Sequence, residues 1–146
     1  VATLILFDEY IKYQLDGTID LDTDSFKIAL TNTLPVAATD TVFTDITEIT
    51  AENGYTAGGD ALTSVTLEES GAGTGIWVWS FADQTWTASG GSFGPYQYVV
   101  IYDDTPTSPA DPLVGYADRG SAATTNNGNS FTVDIGANGV IRVQEA

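Results

Sequence analysis

The chain of 146 residues carries 20 acidic and 4 basic side chains, a formal charge of -16, and has no Cys, His or Met. Those absences exclude a disulfide framework, a thiolate nucleophile, Cys- or His-ligated metal and a Ser-His-Asp relay. Lys12, Lys27, Arg119 and Arg142 are too few and too scattered to track a phosphate backbone, so neither nucleic acid nor an anionic membrane surface is an expected partner.

In chain order, Leu4, Phe7, Ile11 and Leu15 recur at helical spacing, with Asp8, Glu9, Lys12 and Gln14 on the other face. This predicts a short amphipathic helix from Leu4 to Leu15. Thr3 is its candidate cap, Asp8–Lys12 a supporting pair, and Asp16-Gly17 its stop. The run Leu4–Phe7 is far too short to cross a membrane, and Asp8-Glu9 follows it at once. Without a basic segment before it, no secretory signal is expected either.

The rest reads as strands. Phe26, Ile28 and Leu30 alternate with Ser25, Lys27 and Ala29, and Ala61 to Leu67 alternates in the same way. Ile76 and Val78 alternate with Trp77, Trp79 and Phe81. A short strand at Thr85–Thr87 is expected to pair with the preceding one across Asp83-Gln84. The run from Tyr96 to Tyr102 is apolar on both faces and should be central. Leu113–Tyr116, Phe131–Ile135 and Val140–Val143 complete the set. Asn53-Gly54, Asn127-Gly128 and Asn138-Gly139 favour tight turns, and the prolines between Asp103 and Pro112 mark a loop. The stretch from Thr31 to Ala61 is the least regular and reads as a long surface excursion. One mainly-β domain over residues 1–146 is predicted, with an N-terminal arm and helix over residues 1–17. Residues 18–146 then form an antiparallel β-sandwich or jelly-roll-like body.

Four groups of residues could carry chemistry. Asp20, Asp22 and Asp24 alternate like calcium ligands, but the sixth and twelfth positions of an EF-hand loop fall on Ser25 and Thr31, so the template fails and a solvated turn is expected. Asp103, Asp104, Asp111 and Asp118 are an equally weak set. Among 20 acids, no spacing selects a glycosidase pair. Trp77, Trp79 and Phe81, with Trp86 nearby, would form a sugar-stacking platform if exposed; at least two of the three tryptophans are expected in the core. Gly71 to Gly75 precedes no helix and includes no lysine, so it reads as a hairpin connection rather than a phosphate cradle.

The order of segments resembles a known group. Asp22–Thr31 is followed by Asp45–Ile49 and by Asn53-Gly54-Tyr55-Thr56-Ala57-Gly58-Gly59. Phe93-Gly94-Pro95-Tyr96, Tyr102-Asp103-Asp104 and Leu113-Val114-Gly115-Tyr116 come later, before the ends Phe131–Asp134 and Val140–Val143. Over nearly its whole length the chain is similar to small virion structural proteins of tailed bacteriophages, most of all to capsid decoration (cement) proteins. The resemblance implies a non-enzymatic protein without cofactors on the outer surface of the phage head. Its implied partners are the major capsid protein and other copies of itself, with a trimer favoured. Tail, neck or fibre placement is the alternative, and a carbohydrate-binding β-sandwich is a further one. The candidate contact residues are Leu4, Phe7, Tyr10, Ile11, Trp77 and Trp79, with the Thr31–Ala61 excursion second.

Overall fold

The computed structural model describes residues 3–71 and 73–145. The protein is mainly β, with one short helix and antiparallel sheets, and forms a β-sandwich. The elements are β1 (Ile5–Leu6), α1 (Asp8–Leu15), β2 (Phe26–Thr31), β3 (Asp60–Ala61), β4 (Thr66–Glu69) and β5 (Ile76–Ser80). They continue with β6 (Gln84–Thr87), β7 (Phe93–Asp103), β8 (Leu113–Thr125), β9 (Ser130–Val133) and β10 (Ile141–Gln144).

A five-stranded sheet in the order β1-β8-β7-β2-β3 forms the middle layer. Its central strand β7 is the one whose sequence is apolar on both sides, because both faces are covered. One face carries Phe26, Ile28 and Leu30, opposite Asp103, Ile101 and Val99. The three-stranded sheet β10-β5-β4 and the ribbon β6-β9 cover it. Phe26 meets Trp79 edge-on with ring centroids 5.0 Å apart, and Tyr96 meets Phe131 at 4.6 Å. The other face carries Tyr98, Val100 and Tyr102. Here α1 brings Phe7 to Tyr116, with centroids 5.4 Å apart, and a 3₁₀ turn (Phe43–Asp45) stacks Phe43 on Tyr102 at 4.1 Å.

Three expectations are corrected. First, the single strand from Ala61 to Leu67 splits into β3 and β4 around Ser64, which has positive φ. Second, the helix begins at Asp8, not Leu4. Ile5 and Leu6 pair with Tyr116 and Gly115 of β8, and the Phe7 N–H donates to the Val114 carbonyl at 3.2 Å. An open sheet edge offers these residues hydrogen bonds that a first helical turn would leave unmade. Thr3 is therefore not the cap; Phe7 stands at that position without a side-chain bond, and the Asp8 N–H donates to the Ala37 carbonyl. Lys12 pairs with Asp16 at 2.8 Å and with Glu9 at 3.7 Å rather than with Asp8. Third, β6 does not pair back onto β5. It pairs with β9, placing Trp86 opposite Phe131 with nearly parallel rings.

The 31–61 stretch is a strap rather than a loose excursion. The short β3 covers only Lys27 and Ile28 of β2, so the rest of that edge needs partners. The Ile49 N–H donates to the Leu30 carbonyl, and Thr31 bridges to Glu48. The Leu30 N–H donates to the Tyr55 hydroxyl at 2.9 Å. That hydroxyl donates in turn to Glu48 Oε1 at 2.6 Å, which also accepts the Gly58 N–H at 2.7 Å. The Tyr102 hydroxyl closes the clasp on the Gly58 carbonyl. Burial, with the Glu48 carboxylate beside it, pushes the Tyr55 phenol far above its ordinary range, so it stays a donor. Gly54 and Gly59 both have positive φ, and a Cβ on Gly59 would lie 2.0 Å from the Ile28 carbonyl oxygen. Gly54, Tyr55, Gly58 and Gly59 of the Asn-Gly-Tyr-Thr-Ala-Gly-Gly string thus each have a structural reason.

Candidate functional site

The acidic groups are largely occupied with their own backbone. Asp20 Oδ1 accepts the Asp22 N–H, Asp24 Oδ2 accepts the Asp20 N–H, and Asp118 Oδ1 accepts the Gly120 N–H. Among the described residues, no group of three or more acidic side chains is arranged to hold a metal ion. In the β4–β5 hairpin, Glu69 accepts the Gly73 and Gly75 N–H groups at 3.1 and 3.0 Å. The glycine loop therefore wraps a carboxylate of its own chain; Ala72 lies outside the described residues.

A groove of about 300 Å³ opens between the five-stranded sheet and β9. Ile28, Val99, Ile101, Phe81, Phe131 and Ile135 form its apolar walls, and its ionisable lining is Arg119 and Asp134. No two carboxylates face each other across it.

The surface is more informative. Of the six expected contact residues, Phe7, Tyr10 and Trp79 are buried in the core, so they are not available as a contact surface. Burial also pushes the Tyr10 phenol up to about 12. Leu4 is half-buried against the core. Ile11 and Trp77 remain exposed, at 58% and 50%. The stripe Leu4-Phe7-Ile11-Leu15 does not face one way. The helix turns Phe7, Tyr10 and Tyr13 inward and leaves Ile11 and Leu15, four residues apart, on its outer side.

Trp77 and Trp79 share a face of β5, yet Trp79 is fully buried and Trp77 is not. Trp79 packs against Phe26 and Phe81, and its Nε1–H donates to the Leu21 carbonyl at 3.0 Å. Two residues earlier, the core-facing side has run past the body. Val143 of β10 stands opposite Trp77 and is 63% exposed, and Glu69 of β4 flanks it on the other side. Val143 was not among the expected contacts. Only strand register brings it to Trp77, and no local pattern signals that. With Trp79 and Trp86 buried, a three-tryptophan stacking platform does not exist.

Ile5 on β1 and Leu34 and Val36 on the 31–61 strap are exposed as well, so the second expected contact surface also presents apolar side chains, and two further patches lie in opposite layers. Ile11 and Leu15 lie on α1, in the layer over one face of the central sheet. Trp77 and Val143 lie in the layer over the other. Comparison with protein-family models, curated proteins and solved structures finds no match to this chain.

Proposed function

We propose that this chain is a non-enzymatic structural protein of a tailed-phage virion, which binds the outside of the capsid shell and stabilises it by bridging capsid subunits. The observation that carries this reading is the pair of exposed apolar patches in opposite layers of one sandwich. A molecule that bridges neighbours needs two contact surfaces that do not compete for the same partner. Ile11–Leu15 and Trp77–Val143 meet that requirement. Aromatic anchors at the centre of a contact carry a large share of binding energy, and Trp77 is such an anchor. The charge of -16 favours the shell's exterior over packaged DNA. A repeating shell presents many equivalent seams, so modest contacts gain avidity when copies associate, and a trimer is the form the sequence resemblance supports.

The test is co-sedimentation with shells assembled from the same virus's major capsid protein, using wild type, W77S/V143S and I11S/L15S. Binding by wild type and its loss in both double variants is the expected result. A wild-type chain that ignores such shells, or binding unaffected by either pair, refutes the reading. Gold-labelled protein on intact virions separates head from tail or fibre placement, and sedimentation equilibrium gives the copy number.

A further inference from the structure

Carboxylates crowd the end of the central sheet where β2 begins and β7 ends. Phe26 and Asp103 stand opposite each other there. Asp103 is fully buried. Its Oδ1 accepts the Thr105 N–H at 2.9 Å, but its Oδ2 has no donor. The carboxyl that bears on it is that of Asp24, brought alongside because Phe26 pairs with Asp103 and the Asp104 N–H donates to the Ser25 carbonyl. Other charges at this end bring no relief. The Lys27 ammonium is spent on Asp104, 3.1 Å away. Asp111, pushed up by burial and by Asp104, adds one more acid, and Asp20 and Asp22 share the turn with Asp24. An ionised Asp103, buried beside the half-buried Asp24 carboxylate with no donor between them, is repelled by it and leaves its own charge unpaired. One proton removes both problems, because it discharges one group and gives Oδ2 a bond.

Asp24 has a second role that ties this proton to structure. Its N–H donates to the Asp20 carbonyl, and its Oδ2 accepts the Asp20 N–H at 2.8 Å, closing the Asp20–Asp24 turn. That turn presents the Leu21 carbonyl to Trp79 Nε1. The adjoining strand ends are held separately, by Ser25 N–H to Thr105 Oγ1 and by Asp104 N–H to the Ser25 carbonyl, both at 2.8 Å. The turn can therefore leave while the β2–β7 ladder stays.

We propose that Asp24 and Asp103 hold a single proton between them, and that this proton latches the Asp20–Asp24 turn, with its Leu21–Trp79 bond, onto the end of β7. Burial, with Asp24 adding to it, raises Asp103 to about 7. The folded chain thus keeps a proton that the unfolded chain releases near its ordinary value of 3.8. The latch contributes fully below that lower value and is lost as pH rises toward 7. Across this window it lowers the folded-to-unfolded ratio by about tenfold per pH unit.

The test combines ¹³C-carboxyl NMR titration of the wild-type chain with urea unfolding and tryptophan emission as functions of pH. Asp103→Asn places an amide N–H where the proton sits, and D24N does the same from the other side. The expected result is an Asp103 carboxyl that titrates near neutrality, with tryptophan emission following the same midpoint. The slope of stability against pH through that range then flattens in both variants. An Asp103 carboxyl that titrates in the ordinary carboxylate range overturns the proposal, and that reading needs no variant to fold. So does a slope unchanged in both variants. A wild-type urea midpoint raised by millimolar CaCl₂ at about pH 8, but not in D103N, assigns the site to a cation and overturns the shared proton.

Discussion

The Tyr55 hydroxyl is a single atom joining three segments, and removing it tests the strap directly. In Tyr55→Phe the Leu30 N–H loses its acceptor and the Glu48 carboxylate loses a donor. The ring is retained, and with it the packing against Trp86 and Phe93. A hydrogen bond to a charged group contributes about 1.5–3 kcal/mol, and a buried N–H left without a partner costs about 1–3 kcal/mol. Glu48 is only half-buried and regains some water, so the lower part of the combined range applies, about 3 kcal/mol. For a domain near 150 residues, each kcal/mol moves Tm by about 2–4 °C, so a drop of about 6–12 °C is expected by scanning calorimetry. Hydrogen exchange should localise the effect, with the Leu30 amide losing protection while Val99 and Val100 keep theirs. Tyr116→Phe is the control, because no protein group bonds that hydroxyl among the described residues; its shift should stay within about 0.5 kcal/mol. A Y55F chain that melts within about 1 °C of wild type, with Leu30 still protected, would refute the reasoning.

Three further outcomes are expected. Gly59→Ala should prevent stable folding, because its Cβ would sit on the Ile28 carbonyl, whereas Gly128→Ala faces open space and should cost only about 1 kcal/mol for its positive φ; circular dichroism melts compare them. Acrylamide should quench one of the three tryptophans readily, and Trp77→Ser should abolish that component with Tm unchanged within about 2 °C, since Trp77 is half-exposed while Trp79 and Trp86 are enclosed. On the acid side, the Thr41 and Val42 N–H groups hold Asp45 below the usual carboxylate range, as Lys12 and Thr18 hold Asp16 at about 2. Such groups stabilise the fold above their unfolded pKa and lose that contribution as pH falls through the folded one, so urea midpoints should fall below about pH 4, less steeply in D45N.

Strand character is local, and it could be read. Alternation at Phe26–Leu30, Ile76–Phe81 and Tyr96–Tyr102 comes from a two-residue period that each segment carries by itself. The double-sided apolar run at β7 announced a central strand for the same reason. The glycines of the strap could be recognised as turn formers, though not as residues pressed against Ile28 and Thr87. The candidate contacts fared less well. Apolar side chains on α1 marked an amphipathic helix, but Ile5 and Leu6 were drawn into a sheet edge that only β8 provides. The helix then rotated Tyr10 and Tyr13 inward, leaving Ile11 and Leu15 outside.

What the chain's own order of residues determined, then, was the class of fold, the number of strands to within a few, and the chemistry it lacks. Tertiary structure decided the rest, because it depends on partners distant in sequence. The choice of β9 over β5 as the mate of β6 rests on Trp86 meeting Phe131. The difference between Trp77 and Trp79 rests on where the covering layer stops, since identical residues on one strand face have no local property that distinguishes them. The meeting of Asp24 with Asp103 follows from the end of the β2–β7 ladder, where the Asp104 N–H donates to the Ser25 carbonyl and so brings Asp24 beside a buried carboxyl.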